Sequence, residues 1–341
     1  MVVLLFGALL YFLLSGTRTA IYLFSVLVVM RRLIITLSVF SLIGALSYFG
    51  LDFFSEPSYR YQNDYLAALS DKHRRVHEVK GPTLIFAGGS NLAFGLDSEQ
   101  IEKGFLMPTV NLGLHAGLGL DFILNELRDV VQAGDIVFLS LEYYMGEGSY
   151  ELRKFAGRCA PEAKYYYSFN PIEEISIQLE KTRKQLKGNT QFFFDSVYVR
   201  SGFNHFGDVV SHLESPRAKE LRSRVKEDYR YWEGIPMLNN FYAEVSAREV
   251  QVYYLFPCYA KSEFEVNSEA IYLLAKDLAA DLDFEIINSV SDFVFEDSLF
   301  FDTVYHLNKK GRDQRTKKLI EIIRKSKAMD KIEGLTTSRM R

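Results

Sequence analysis

At 341 residues, 48% of them hydrophobic, and with a formal net charge of −3, the chain is long enough to bury a large core and carries no excess of positive charge. Its Lys and Arg residues are scattered, apart from a solvated run near the C-terminus, which argues against nucleic acid as a partner. Two cysteines without motif spacing, Cys159 and Cys258, define no disulfide framework, and no His, Cys and carboxylate cluster has metal-ligand spacing. No metal and no cofactor is therefore assigned.

The first 54 residues read as a membrane anchor of one or two apolar segments. Leu33 to Phe54 meets its first charge at Asp52, and a bilayer core needs about twenty such residues. Arg31-Arg32 precede this run while Asp52 and Glu56 follow it, so the positive-inside rule places the rest of the chain outside the cytoplasm. A cleavable signal peptide is the rival reading, because Ala45-Leu46-Ser47 is a passable cleavage site; the apolar run continues past it, which favours an uncleaved anchor. Residues 1–30 allow two readings, a first spanning helix that tolerates Arg18 or a start of translation at Met30. Residues 55–80 are polar and charged and read as a stalk, with His73 and His77 on a solvated face and Pro82 marking its end.

Strand-like runs then alternate with helical patterns. Thr83 to Ala87, Thr109 to Leu112, Asp135 to Leu141, Gln251 to Phe256 and Phe284 to Asn288 read as strands. Asp97 to Lys103, Leu120 to Gln132, a segment closing between Glu244 and Gln251, Asn267 to Ala280 and Lys309 to Ser326 read as helices. This alternation predicts an α/β fold of three layers, α/β/α, with a five-stranded parallel sheet and right-handed crossovers, spanning residues 81–330 and followed by a tail at 331–341. An insertion at 143–232 is too long for a βα connection. It is rich in Tyr and contains the single Trp, Trp232, which suits either a cap over the site that meets a carbohydrate or acyl chain, or a small core of its own.

The chemistry concentrates at two places. Gly88-Gly89-Ser90-Asn91 follows the first strand, and small residues there let the backbone turn sharply, so the Ser90 hydroxyl can stand at the carboxyl edge of the sheet. Asp302 and His306 follow the fifth strand, so both places fall on the same edge. A serine, a histidine to take its proton and a carboxylate to orient the histidine are what acyl transfer through a serine ester requires. Glu142 and Asp297 are alternative acids, and His115 lies near enough in the pattern to be a secondary candidate. Gly88-Gly89-Ser90 lacks the Lys-Ser or Lys-Thr of a phosphate-binding loop.

Three blocks of the chain resemble those of the SGNH (GDSL-type) hydrolase superfamily, over residues 80–142 and 250–325. Gly88-Gly89-Ser90 resembles the first, with Gly89 in place of the usual Asp; Val110-Asn111-Leu112-Gly113-Leu114-His115-Ala116-Gly117 resembles the second; Asp302 to His306, then Leu307, resembles the last. The resemblance implies a flavodoxin-like sheet, catalytic residues Ser90, His306 and Asp302, and Asn91, Gly113, Gly117, His115 and Glu142 as candidates for the oxyanion site or its surroundings. Two departures stand out. Asp302 and His306 are four residues apart rather than three, and Leu141-Glu142-Tyr143 replaces the family's Gly-x-Asn-Asp block. With its anchor, the chain is similar to members that act in polysaccharide O-acetylation and in D-alanine transfer to teichoic acids. That similarity implies an extracytoplasmic esterase or O-acyltransferase acting on a cell-envelope glycan at the bacterial inner membrane beside a membrane-bound O-acyltransferase, or a catalytically silent glycan-binding or assembly protein of the same fold.

Overall fold

The computed structural model describes residues 25–47, 58–186, 196–222 and 228–339, with Gly16, Tyr22, Gly50 and Lys226 besides. The chain divides into two units, one comprising residues 1–57 and 178–190 and the other the remainder.

In the first unit, helix α1 (Ser25–Ser47) is 23 residues long, near the N-terminus, with none of its most apolar stretch buried. At 1.5 Å per residue it is about 34 Å long, enough for a hydrocarbon core of about 30 Å. It is thus long and apolar enough to cross a membrane. The helix begins earlier than the apolar run suggested and carries Arg31 and Arg32 within it, because two good helix formers do not interrupt a backbone ladder. Of the two readings of residues 1–30, only the stretch from Ser25, helical and continuous with the span, falls on a continuous run of described residues.

The second unit contains α2 (Ser58–Asn63), α3 (Ala68–Glu78), β1 (Leu84–Gly88), α4 (Ser90–Ala93), α5 (Ser98–Phe105), β2 (Thr109–Asn111), α6 (Leu120–Val130), β3 (Ile136–Ser140) and α7 (Tyr150–Cys159). After these come α8 (Pro171–Leu186, shared between the units), α9 (Gly234–Ser246), β4 (Gln251–Tyr254), β5 (Tyr259–Ala260), α10 (Lys261–Asp281), β6 (Val294–Phe295), α11 (Lys309–Lys325) and α12 (Ala328–Arg339). The main sheet has four strands, all parallel, in the order β2-β1-β3-β4; β5 and β6 pair separately. β1 and β3 are buried throughout, as a sheet covered on both faces requires. Among the helices that connect the strands, α6 and α9 pack together, and α5 packs beside β2 and α11.

The fifth strand expected at Phe284 to Asn288 shrinks to one parallel bridge, Tyr254 with Ile286. Its cause is local: the Asn288 side chain accepts from Phe256 N–H at 2.8 Å and donates to Phe256 C=O at 3.3 Å, so the side chain replaces the next rung of the ladder.

The stalk reading fails for the described residues. Tyr65 to Leu69, Lys72, His73 and Val76 are buried, and the apolar ones among Tyr65 to Leu69 join Phe94, Phe122, Tyr166, Val197, Val209 and Phe301 in a second apolar core. The polarity that suggested a solvated stalk belongs to buried pairs: His73 meets Glu126 at 2.9 Å, and Lys72 donates to Asn111 C=O (2.8 Å) and Gly207 C=O (2.5 Å). The insertion is woven in the same way. Phe206 C=O accepts from Asn111 N–H at 2.9 Å on the edge strand β2, and Trp232 donates to Met145 C=O at 2.8 Å. Tyr143, Tyr144, Tyr166 and Trp232 are core, while Tyr165 is 84% exposed. Cys159 and Cys258 are both buried, in different cores, and not bonded to each other.

Candidate active site

β1 and β3 are neighbours at the point where the strand order reverses, the usual place for a ligand crevice in an open α/β sheet. β1 ends at Gly88 and Ser90 opens α4; β3 ends at Ser140 and Glu142 follows. Gly89 caps α4 without a side chain, and Glu142 supplies the missing acceptor from across the sheet. Its Oε1 accepts from Asn91 N–H at 3.0 Å and lies 3.4 Å from Ser90 Oγ, while its Oε2 is buried without a hydrogen-bond partner among the described residues. A Cβ at Gly89 would stand 2.1 Å from Glu142 Oε2. The two departures, Gly for Asp before the serine and Glu after β3, are therefore one feature: the carboxylate of Glu142 fills the space that Gly89 leaves.

The last loop holds the base. Phe300 and Leu307 form an antiparallel bridge, Phe301 N–H donates to His306 C=O at 2.7 Å, and a turn on Thr303 takes up the extra residue between Asp302 and His306. His306 Nδ1 meets Asp302 Oδ1 at 2.9 Å. The Tyr198 hydroxyl, from the insertion, donates to Asp302 Oδ2 at 2.5 Å and lies 3.1 Å from His306 Nδ1. Phe94 stacks on the imidazole at 4.0 Å and 6°. Burial raises the affinity of Asp302 for a proton, but the hydrogen bond and charge of His306, the Tyr198 hydroxyl and the Arg222 charge outweigh it and hold the carboxyl below its ordinary range. With Nδ1 engaged, Nε2 is the ring nitrogen open to a reactant; it makes no hydrogen bond among the described residues. Asp297 lies elsewhere, accepting from Ser262 N–H at 3.1 Å.

Ser90, His115, Glu142, Tyr198, Arg222, Thr303 and His306 line one pocket of about 440 Å³ with Tyr65, Ala116, Val304 and Tyr305. The pocket thus brings Ser90 and His306 onto one wall system, without a direct hydrogen bond between them among the described residues. The remaining candidates divide. The Asn91 side chain is fully buried, donating to Ser140 C=O at 2.9 Å and accepting at Oδ1 from Ser140 Oγ at 3.1 Å and from Arg315 at 3.0 Å. Arg315, itself fully buried on α11, also donates to Asn91 C=O at 2.6 Å. Gly113 N–H donates to Asn111 Oδ1 and Gly117 N–H to His115 Nδ1, each at 2.9 Å. These three residues thus lie behind the pocket lining and offer the pocket neither the Asn91 side chain nor the two glycine amides. His115, an exposed residue at the pocket, does offer one: the neutral ring that accepts from Gly117 N–H at Nδ1 carries its proton on Nε2.

Tyr198 and Arg222 were not legible as site residues. Each reaches the last loop from a segment without strand or helix periodicity, Tyr198 across 104 residues. Arg222 is fixed by its backbone, donating to Asp302 C=O at 2.9 Å and accepting from Val304 N–H at 3.3 Å. No protein-family model matches the chain, and a search of curated proteins finds no relative.

Proposed function

We propose that the chain is a serine-dependent acyl-transfer enzyme of SGNH type, an esterase or O-acyltransferase, working through an acyl-serine intermediate. The observation that carries this reading is the Asp302–His306 pair, with Nε2 open, in the same pocket as a serine at a strand-to-helix turn. In the proposed reaction Ser90 Oγ attacks the acyl carbon as its proton passes to His306 Nε2, while Asp302 keeps the proton on Nδ1 and stabilises the imidazolium. The His115 Nε2–H and the first amide of α4 are the donors for the developing oxyanion. The imidazolium then protonates the leaving alcohol; water or a glycan hydroxyl, deprotonated by His306, attacks the acyl-serine, and the bond to Ser90 Oγ breaks as the imidazolium returns the proton to it. Glu142 holds the nucleophile turn. The resemblance, joined to α1 as a single-pass anchor with Arg31-Arg32 in its cytoplasmic half, supports the setting: the outer face of a bacterial inner membrane, a cell-envelope glycan as acceptor, and a membrane-bound O-acyltransferase as partner.

One observation favours a second reading, a silent glycan-binding or assembly protein: the hydrogen bond of Ser90 Oγ goes to Glu142, not to His306. A fluorophosphonate probe decides. The full chain in non-ionic detergent should be labelled and Ser90→Ala should not, with unchanged circular dichroism; equal labelling of both removes Ser90 from the mechanism, and no labelling of either supports the silent reading.

A further inference from the structure

Arg222 stands out among the groups that line the pocket. Both its backbone hydrogen bonds tie it to the loop that carries Asp302 and His306, and it forms a parallel bridge with Thr303, so the root of its side chain is as fixed as the loop itself. Yet its guanidinium makes no hydrogen bond or ion pair among the described residues. The neighbouring Asp302 carboxylate lends it charge but no hydrogen bond among the described residues: Oδ1 is engaged by His306 and Oδ2 by Tyr198. Glu142, the other carboxylate of the pocket, is turned to the Asn91 amide. A planar cation with five donors, anchored at its root, exposed, and with no hydrogen bond at its tip among the described residues, is placed to take an oxygen anion from outside the chain.

We infer that Arg222 selects the substrate, and that the ester bound in this pocket carries an anionic group, a carboxylate or phosphate, which pairs with the guanidinium while its acyl carbon lies at Ser90. The inference takes the ester from the function proposed above; the anion site stands on Arg222 alone. Glu142 adds direction. A negative group set near Ser90 would meet that carboxylate, so the anionic end of a ligand belongs at Arg222 and the neutral ester at Ser90. Thr303, beside Arg222 in the pocket lining, offers a hydroxyl donor to the same anion.

The test separates binding from turnover. In the full chain carrying Ser90→Ala, in non-ionic detergent, equilibrium dialysis compares monomethyl succinate, which carries one carboxylate, with dimethyl succinate, which carries none. The monoester should bind at least tenfold tighter, the difference should shrink as salt is raised, and adding Arg222→Gln should bring the two ligands within about twofold. Arg222→Lys, which keeps the charge, should keep part of the preference and guards against loss of fold in the Gln variant. Equal binding of the two esters, or a preference that survives Arg222→Gln, overturns the assignment. Failure of Ser90 labelling would remove the enzyme reading and leave this binding difference in place, because no turnover is read.

Discussion

Gly89→Ala tests the geometry around the nucleophile most directly. Gly89 has φ −87°, a value any residue adopts, so the substitution stores no backbone strain and its cost is steric. The new Cβ would stand 2.1 and 2.4 Å from the two oxygens of Glu142. Ordinary heavy-atom contacts lie near 3.5 Å, so the carboxylate must retreat by about 1 Å or more. That breaks its 3.0 Å bond from Asn91 N–H and leaves the first turn of α4 uncapped. A hydrogen bond to a charged group contributes about 1.5–3 kcal/mol. At about 2 kcal/mol, and 2–4 °C per kcal/mol for a domain of this size, the melting temperature should fall by roughly 4–8 °C. The assay is thermal unfolding of the detergent-solubilised chain in a double-mutant cycle with Glu142→Ala. Once the carboxylate is gone the methyl group has nothing to displace, so Gly89→Ala should then lower the midpoint by no more than about 1–2 °C. An equal loss in both backgrounds would show that Glu142 does not occupy the space at Gly89.

Tyr198→Phe removes a donor that holds down the proton affinity of Asp302, so the Asp302 carboxyl should titrate at higher pH in the variant when followed by NMR of the labelled aspartates, and an unmoved titration refutes the role. Lys72, whose affinity burial pushes down to about 7, titrates near 10.4 when unfolded. Between those values the unfolded chain holds the extra proton, so stability rises with pH across that window, and the rise should be absent in Lys72→Met when midpoints at pH 6.5 and 9.5 are compared. Parallel changes in the two proteins would exclude it. For the anchor, a C-terminal alkaline phosphatase fusion should be active in cells; an inactive fusion paired with a fluorescent C-terminal green fluorescent protein fusion would place the site in the cytoplasm.

The repeating part of the fold was legible because its signals are local. β1, β2 and β3 fall within two residues of the runs that predicted them, and Asn308, which caps α11 through Gly311 N–H, follows directly on Leu307 of the block that marks His306. What was not legible depends on partners distant in sequence. Lys72 reads as a surface residue until Gly207 C=O, 135 residues away, is brought to its amine. Asp208, fully buried, looks like an ordinary turn residue until Ser98 and Asn111 are seen to donate to it. Glu142 read as an alternative acid because the chain says where the carboxylate begins, at the end of β3, and not that Gly89 makes room for it.

Arg315 carries a consequence for the order in which the molecule can be completed. Its guanidinium lies beneath the nucleophile turn, joined to the carbonyl and the side chain of Asn91 across 224 residues. A chain leaving the ribosome has β1, α4 and β3 available long before α11 exists, so the Asn91 carbonyl must wait for one of the last helices to arrive. Partial products therefore carry the serine on an unfinished turn, and a truncation just ahead of Arg315 would keep every strand of the main sheet while withholding the part that sets the nucleophile in place.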